Sequence, residues 1–78
     1  MKLIRMEEQI KMLISEFASF SCDEIFIEDK LVDIGINVPD IAKLITRVNE
    51  VFGVSIDKSA FDTMMTVHKF IELVESHM

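Results

Sequence analysis

The sequence predicts an all-α fold, a small bundle of three main helices and one short helix. Three observations lead there. In three separate stretches, apolar residues recur at every third or fourth position, which aligns side chains along one face of a helix. Capping and turn residues (Asn37, Gly53 and Thr66) stand at the ends of those stretches. Half of the 78 residues are hydrophobic, enough for a core and too many for a disordered chain. A chain of this length is expected to make one domain, over residues 1–78, whose stability rests on a compact core.

The first helix is expected over residues 2–20. Leu3, Met6, Ile10, Leu13 and Phe17 form its inward stripe and Ile14 widens it, while Lys2, Glu8, Lys11 and Glu16 largely avoid it. Residues 19–37 form a long connection. Ser19, Ser21, Asp23 and Gly35 favour turns, and Ile25, Ile27, Leu31 and Ile34 are placed to pack it onto the core. Ile25-Phe26-Ile27 has strand-like composition but no evident partner, so an ordered loop is expected. The second helix runs over 38–52. Asn37 suits its N-cap, because a side-chain oxygen there can accept from an amide of the first turn. Pro39 has no N–H to leave unpaired, and Asp40 puts negative charge where the helix dipole is positive. Ile41, Leu44, Ile45, Val48 and Phe52 face inward. Asp40, Lys43, Arg47 and Glu50 face outward, at spacings that allow pairing along the helix surface. Gly53 then stops the helix where a residue without Cβ is favoured. Val54 and Ile56 anchor a bridge to a short helix within 57–62 that points Phe61 inward. Met64 and Met65 follow, and Thr66 caps a last helix over 67–77, with Val67, Phe70, Ile71 and Val74 on its inner face.

The formal net charge is −6, and the acidic excess is concentrated in the long connection. Asp23, Glu24, Glu28, Asp29 and Asp33 are opposed there by Lys30 alone. No basic stripe exists to neutralise phosphates, which argues against nucleic acid as a partner. The excess suits solubility and, more sharply, a basic partner. No apolar run approaches a membrane span, and Glu7 and Glu8 come too early for a secretory signal. A single cysteine leaves no disulfide framework, as expected for a reducing, cytoplasmic setting. The loop carboxylates lack the spacing of a calcium loop. Cys22 lies beside Asp23 and Glu24, which disfavour its thiolate. His68 and His77 have no partner at metal-ligand spacing. No nucleophile–base pair is visible, so no enzyme is expected.

The stretch Leu31-Val32-Asp33-Ile34-Gly35-Ile36-Asn37-Val38-Pro39-Asp40 organises the chain. The amphipathic helix before it, Phe52-Gly53-Val54-Ser55-Ile56 after it, and then Met65-Thr66-Val67 complete a pattern over nearly the whole length. That order and spacing resemble the acyl carrier protein family, including the peptidyl carrier domains. The resemblance implies an acyl-carrier-protein-like four-helix bundle that is not itself a catalyst. In that family, a serine at the start of the second helix is esterified by 4′-phosphopantetheine, whose thiol carries acyl or aminoacyl groups. Here the pattern puts Val38 at that position. Valine has no hydroxyl to attack the pyrophosphate of coenzyme A, so no prosthetic group is expected. No Ser or Thr lies between Asp23 and Ile45 to restore one by a shift of register.

What remains is a binding module. Its candidate docking residues, on or near the surface that the resemblance assigns to partners, are Val38, Asp40, Lys43, Arg47, Met64 and Met65. In many family members the outward face of the second helix is acidic and meets basic patches, which Lys43 and Arg47 would weaken here. The expected partner is an enzyme or assembly of fatty-acid, polyketide or nonribosomal peptide biosynthesis, met by a monomer. The alternative is a genuine acyl or peptidyl carrier of those pathways whose serine has been substituted in this sequence. A third reading is a small-ligand binder that uses the bundle interior without covalent attachment.

Overall fold

A computed structural model describes residues 6–78. The described chain is helical: α1 (Met6–Ser15), α2 (Val38–Phe52) and α3 (Val67–Ser76), with 3-10 turns at Cys22–Glu24, Val32–Ile34 and Lys58–Ala60. The turn at Lys58–Ala60 stands where the short helix was expected.

α1 buries Ile10, Leu13 and Ile14, three members of its predicted stripe. It stops at Ser15 rather than near residue 20. Ser15 Oγ donates to the Met12 carbonyl at 2.6 Å, a local bond that competes with the helix ladder. Ser19 N–H then donates to Ile34 O at 2.8 Å, so the chain has already left the helix to meet the long connection. Phe17 stays packed on the core from outside the helix. The expected stripe position Leu3, and Lys2 beside it, lie outside the described residues.

α2 buries Ile41, Leu44, Ile45 and Val48, and α3 buries Val67, Phe70, Ile71 and Val74. Loop residues Ile25, Leu31, Ile34, Ile36, Ile56 and Phe61 complete the core, which contains no buried polar residue among those described. Each fully buried aliphatic or aromatic side chain contributes about 1.5–3 kcal/mol. The Phe61 and Phe70 rings meet at 4.8 Å between centroids, tilted by 46°, which ties the turn before α3 to α3 itself.

The long connection is held by backbone bonds to the chain entering α3. Leu31 N–H donates to Met65 O at 3.0 Å, Val32 N–H to Thr63 O at 2.8 Å, Val67 N–H to Asp29 O at 2.8 Å and His68 N–H to Ile27 O at 2.9 Å. Lys30 and Thr66 form an isolated antiparallel bridge. The ordered loop expected around Ile25-Phe26-Ile27 is therefore present. Its pairing partner is a stretch of chain too short to show strand periodicity.

After α2, Gly53 adopts the left-handed conformation at φ +67° and donates to Asn49 O at 2.9 Å. Asn49 also spans the bridge that follows. Its side chain accepts from Ile56 N–H at 3.0 Å and donates to Ile56 O at 3.1 Å. Thr66 Oγ1 accepts from Lys69 N–H at 3.1 Å and caps α3 as the sequence predicts.

Candidate functional site

The loop that enters α2 turns at Gly35, whose φ of +93° suits a residue without a side chain. A Cβ there would lie 2.5 Å from Ser19 Oγ and 3.1 Å from Ser19 N. The glycine thus lets the end of the α1 segment approach the start of α2. Asn37 is the N-cap and forms a capping box with Asp40, in which Asp40 Oδ2 accepts from Asn37 N–H at 3.0 Å. Asp40 therefore engages a backbone donor that the sequence analysis assigned to no partner. Pro39 sits in the first turn, as expected.

Val38 is the first residue of α2 and is 74% exposed. It stands at one edge of a groove of about 500 Å³. Pro39, Ile41 and Ala42 continue that wall, and the opposite side comes from the turn at Lys58–Ala60 and the residues after it, including Phe61 and Thr63. The turn is capped by Asp57, whose Oδ1 accepts from Ser59 N–H at 2.9 Å. That hydrogen bond holds the Asp57 carboxyl below its ordinary pKa.

The predicted docking residues do not share one patch. Successive helical residues turn by about 100°, which puts Val38 and Arg47 about 180° apart on α2. Val38 faces the groove, whereas Arg47 faces the end of the α1 segment. Arg47 Nε lies 3.3 Å from Glu16 Oε1 and its Nη2 lies 3.4 Å from Oε2, while Nη1 reaches Glu50 at 3.5 Å. The hydrogen bonds and charge of Glu16 hold the guanidinium above its ordinary pKa. Arg47 is thus a tie between two elements, and the sequence foresaw only its bond to Glu50. Lys43 is exposed, and among the described residues it makes no ion pair, including the one expected with Asp40. Met64 is 60% exposed, and Met65 packs partly on the core with its carbonyl taken by Leu31.

Lys58, Ser59, Phe61 and Asp62 of the groove were absent from the sequence-derived site. Phe61 was recognisable as an inward residue, but nothing local says which helix end it faces. Asn49 was also missed, although a polar residue on the flank of an otherwise apolar helix face was an available signal.

The family model described as "Phosphopantetheine attachment site" matches residues 8–74, most of the chain. The chain belongs to this carrier family. A comparison of the carrier domain with curated proteins finds no match. Family membership fits the all-helical bundle, and domains of this kind are not catalysts themselves. The chemistry at the start of α2 is a separate matter. Val38 offers only methyl groups, and the hydroxyl-bearing residues lining the groove, Ser59 and Thr63, lie on its opposite side. The residues present at the start of α2 do not fit a phosphodiester link to phosphopantetheine. Among the described residues, no group of three His, Cys, Asp or Glu is arranged to hold a metal ion, and no helix is long and apolar enough to cross a membrane.

Proposed function

We propose that this carrier domain works as a binding module without the prosthetic group, docking to a biosynthetic enzyme or assembly. The observation that carries the reading is Val38, an exposed residue with no nucleophile at the first position of a well-capped α2. The surrounding surface supports contact with a protein. Val38 and Met64 expose apolar side chains, Lys43 is unpaired among the described residues and Asp40 caps the start of α2, whereas Arg47 acts on the opposite side of that helix by tying it to Glu16. A monomeric, cytoplasmic protein of fatty-acid, polyketide or nonribosomal peptide biosynthesis fits this reading.

A second reading is favoured by the same residue. A valine at 74% exposure gains little burial energy, as expected if it replaces a serine in a genuine acyl or peptidyl carrier. The decisive experiment incubates the protein with coenzyme A and a broad-specificity phosphopantetheinyl transferase and reads intact mass. No gain is expected, and a gain mapped to any residue overturns the module without a prosthetic group. The Val38→Ser variant separates the two readings further. Modification of that variant supports a substituted carrier, while failure supports a surface that has diverged from carrier work.

A further inference from the structure

Three exposed apolar residues lie in or next to the segments that form the groove, and Val38 alone of them lines it. Val32 is 41% exposed in the turn before α2, Val38 begins α2, and Met64 follows the groove's far wall. They are near one another because Val32 N–H donates to Thr63 O at 2.8 Å and Thr63 lines the same groove as Val38. Ile41 and Phe61, both buried, close the groove's base. Its rim carries one charge of each sign, Lys58 and Asp62, both exposed. Neither forms an ion pair among the described residues, although Asp62 Oδ1 accepts from Met64 N–H at 2.7 Å.

From this arrangement the geometry points to a specific mode of recognition: the groove receives one large aliphatic side chain from a polypeptide segment of a partner protein, with an acidic neighbour on Lys58 and a basic neighbour on Asp62. This deepens the docking function above and rests on it. The mixed rim matches a segment carrying both charges and gives no net attraction to a uniformly basic patch. Anchoring falls to the apolar side chain, because a buried anchor contributes more than exposed rim charges. A second copy of this chain is a poorer occupant. A stable dimer buries about 800 Å² per copy, well beyond what three side chains and a short groove provide. A lone aliphatic carboxylate is poorer too, because it would engage Lys58 alone and leave Asp62 without a partner.

The test follows amide NMR signals of the whole protein during titration with capped pentapeptides. One peptide has a central leucine between glutamate and lysine, one replaces the leucine with alanine, and one replaces both charges with glutamine. The leucine peptide is expected to shift Val38, Ala42, Phe61 and Thr63, and the alanine peptide to leave them in place. Removing the peptide's charges should weaken binding by about threefold. Raising NaCl from about 50 to about 300 mM should change affinity by less than about threefold. Ala42→Glu, which puts a charge on the groove wall, should abolish the shifts while the rest of the spectrum stays folded. If that variant unfolds, Lys58→Gln serves instead, and should remove the benefit of the peptide's glutamate.

Equal shifts by the alanine peptide, shifts elsewhere on the molecule or none at millimolar peptide would overturn the assignment. So would octanoate displacing the leucine peptide from the groove, or concentration-dependent dimerisation through it. These outcomes are distinct from the coenzyme A experiment. A mass gain there defeats the reading without a prosthetic group and leaves a peptide result standing, whereas a failed titration removes this groove alone.

Discussion

At the scale of single residues, Val38 and Gly35 show how differently a sequence constrains function and fold. Val38 is exposed and makes no hydrogen bond through its side chain, so Val38→Ser should change stability by less than about 0.5 kcal/mol. Urea unfolding checks this, and a larger change would mean the valine packs more closely than its exposure indicates. Gly35 is the opposite case. Gly35→Ala puts a Cβ against Ser19 and forces a left-handed backbone on an L side chain, which should cost about 1–3 kcal/mol. A parallel drop in the urea midpoint, with no change in slope, is the expected signature. The sequence showed Gly35 as a turn, since glycine in a loop is a local signal. It could not show Ser19 as the reason, because that approach exists only after α1 has ended. Arg47 illustrates the same limit. Its bond to Glu50 follows from helical spacing, but its bonds to Glu16 join residues whose neighbourhood is set by packing α1 against α2.

Among the elements, α2 was the most legible and α1 the least. The apolar period of α2, its capping residues and Gly53 all agree, so its bounds match the expectation of 38–52. α1 has an apolar pattern that continues beyond its real end, since Phe17 remains useful to the core after leaving the helix. Periodicity reports burial, and here burial outlasts the helix. The bridge from α2 to the groove's far wall depends on Asn49. Asn49→Ala would leave the Ile56 N–H and C=O without their partner, and should cost about 1–3 kcal/mol. Amide shifts around Phe61 and Thr63 would report whether the wall moves as well. The Asp57 cap supplies a pH test. Its folded pKa lies below the ordinary value, so its contribution is present above the unfolded pKa and is lost as pH falls through the folded one. The stability difference between the protein and Asp57→Ala should therefore be larger near pH 6 than near pH 3, by the sign of that linkage. An equal difference at both would exclude the charged form as the source.

For the whole molecule, the apolar positions of three helices were enough to predict a small helical bundle, and the likeness to carrier proteins came from the order and spacing of the Leu31–Asp40 stretch and the motifs that follow it. The functional surface was less visible, since its walls come from residues far apart in sequence and its members are individually ordinary. The core also limits which variants can be interpreted. Phe70 is fully buried and meets the Phe61 ring at a tilt, so Phe70→Ala should cost about 3–5 kcal/mol, much of a small domain's stability. A loss of helical circular dichroism at low urea would mark it, and any binding defect in that variant would say nothing about the groove. The pairing of residues 27–32 with 63–68 has a consequence in time as well as in space. Segments that lack regular secondary structure usually open by themselves, whereas these amides are bonded to the chain entering α3. Leu31, Val32, Val67 and His68 should consequently exchange their amide hydrogens on the schedule of α3, and proteases should cut between Phe20 and Glu24 before they cut near Lys30. The floor beneath any docked partner would then be a clasp that releases only when the bundle itself comes apart.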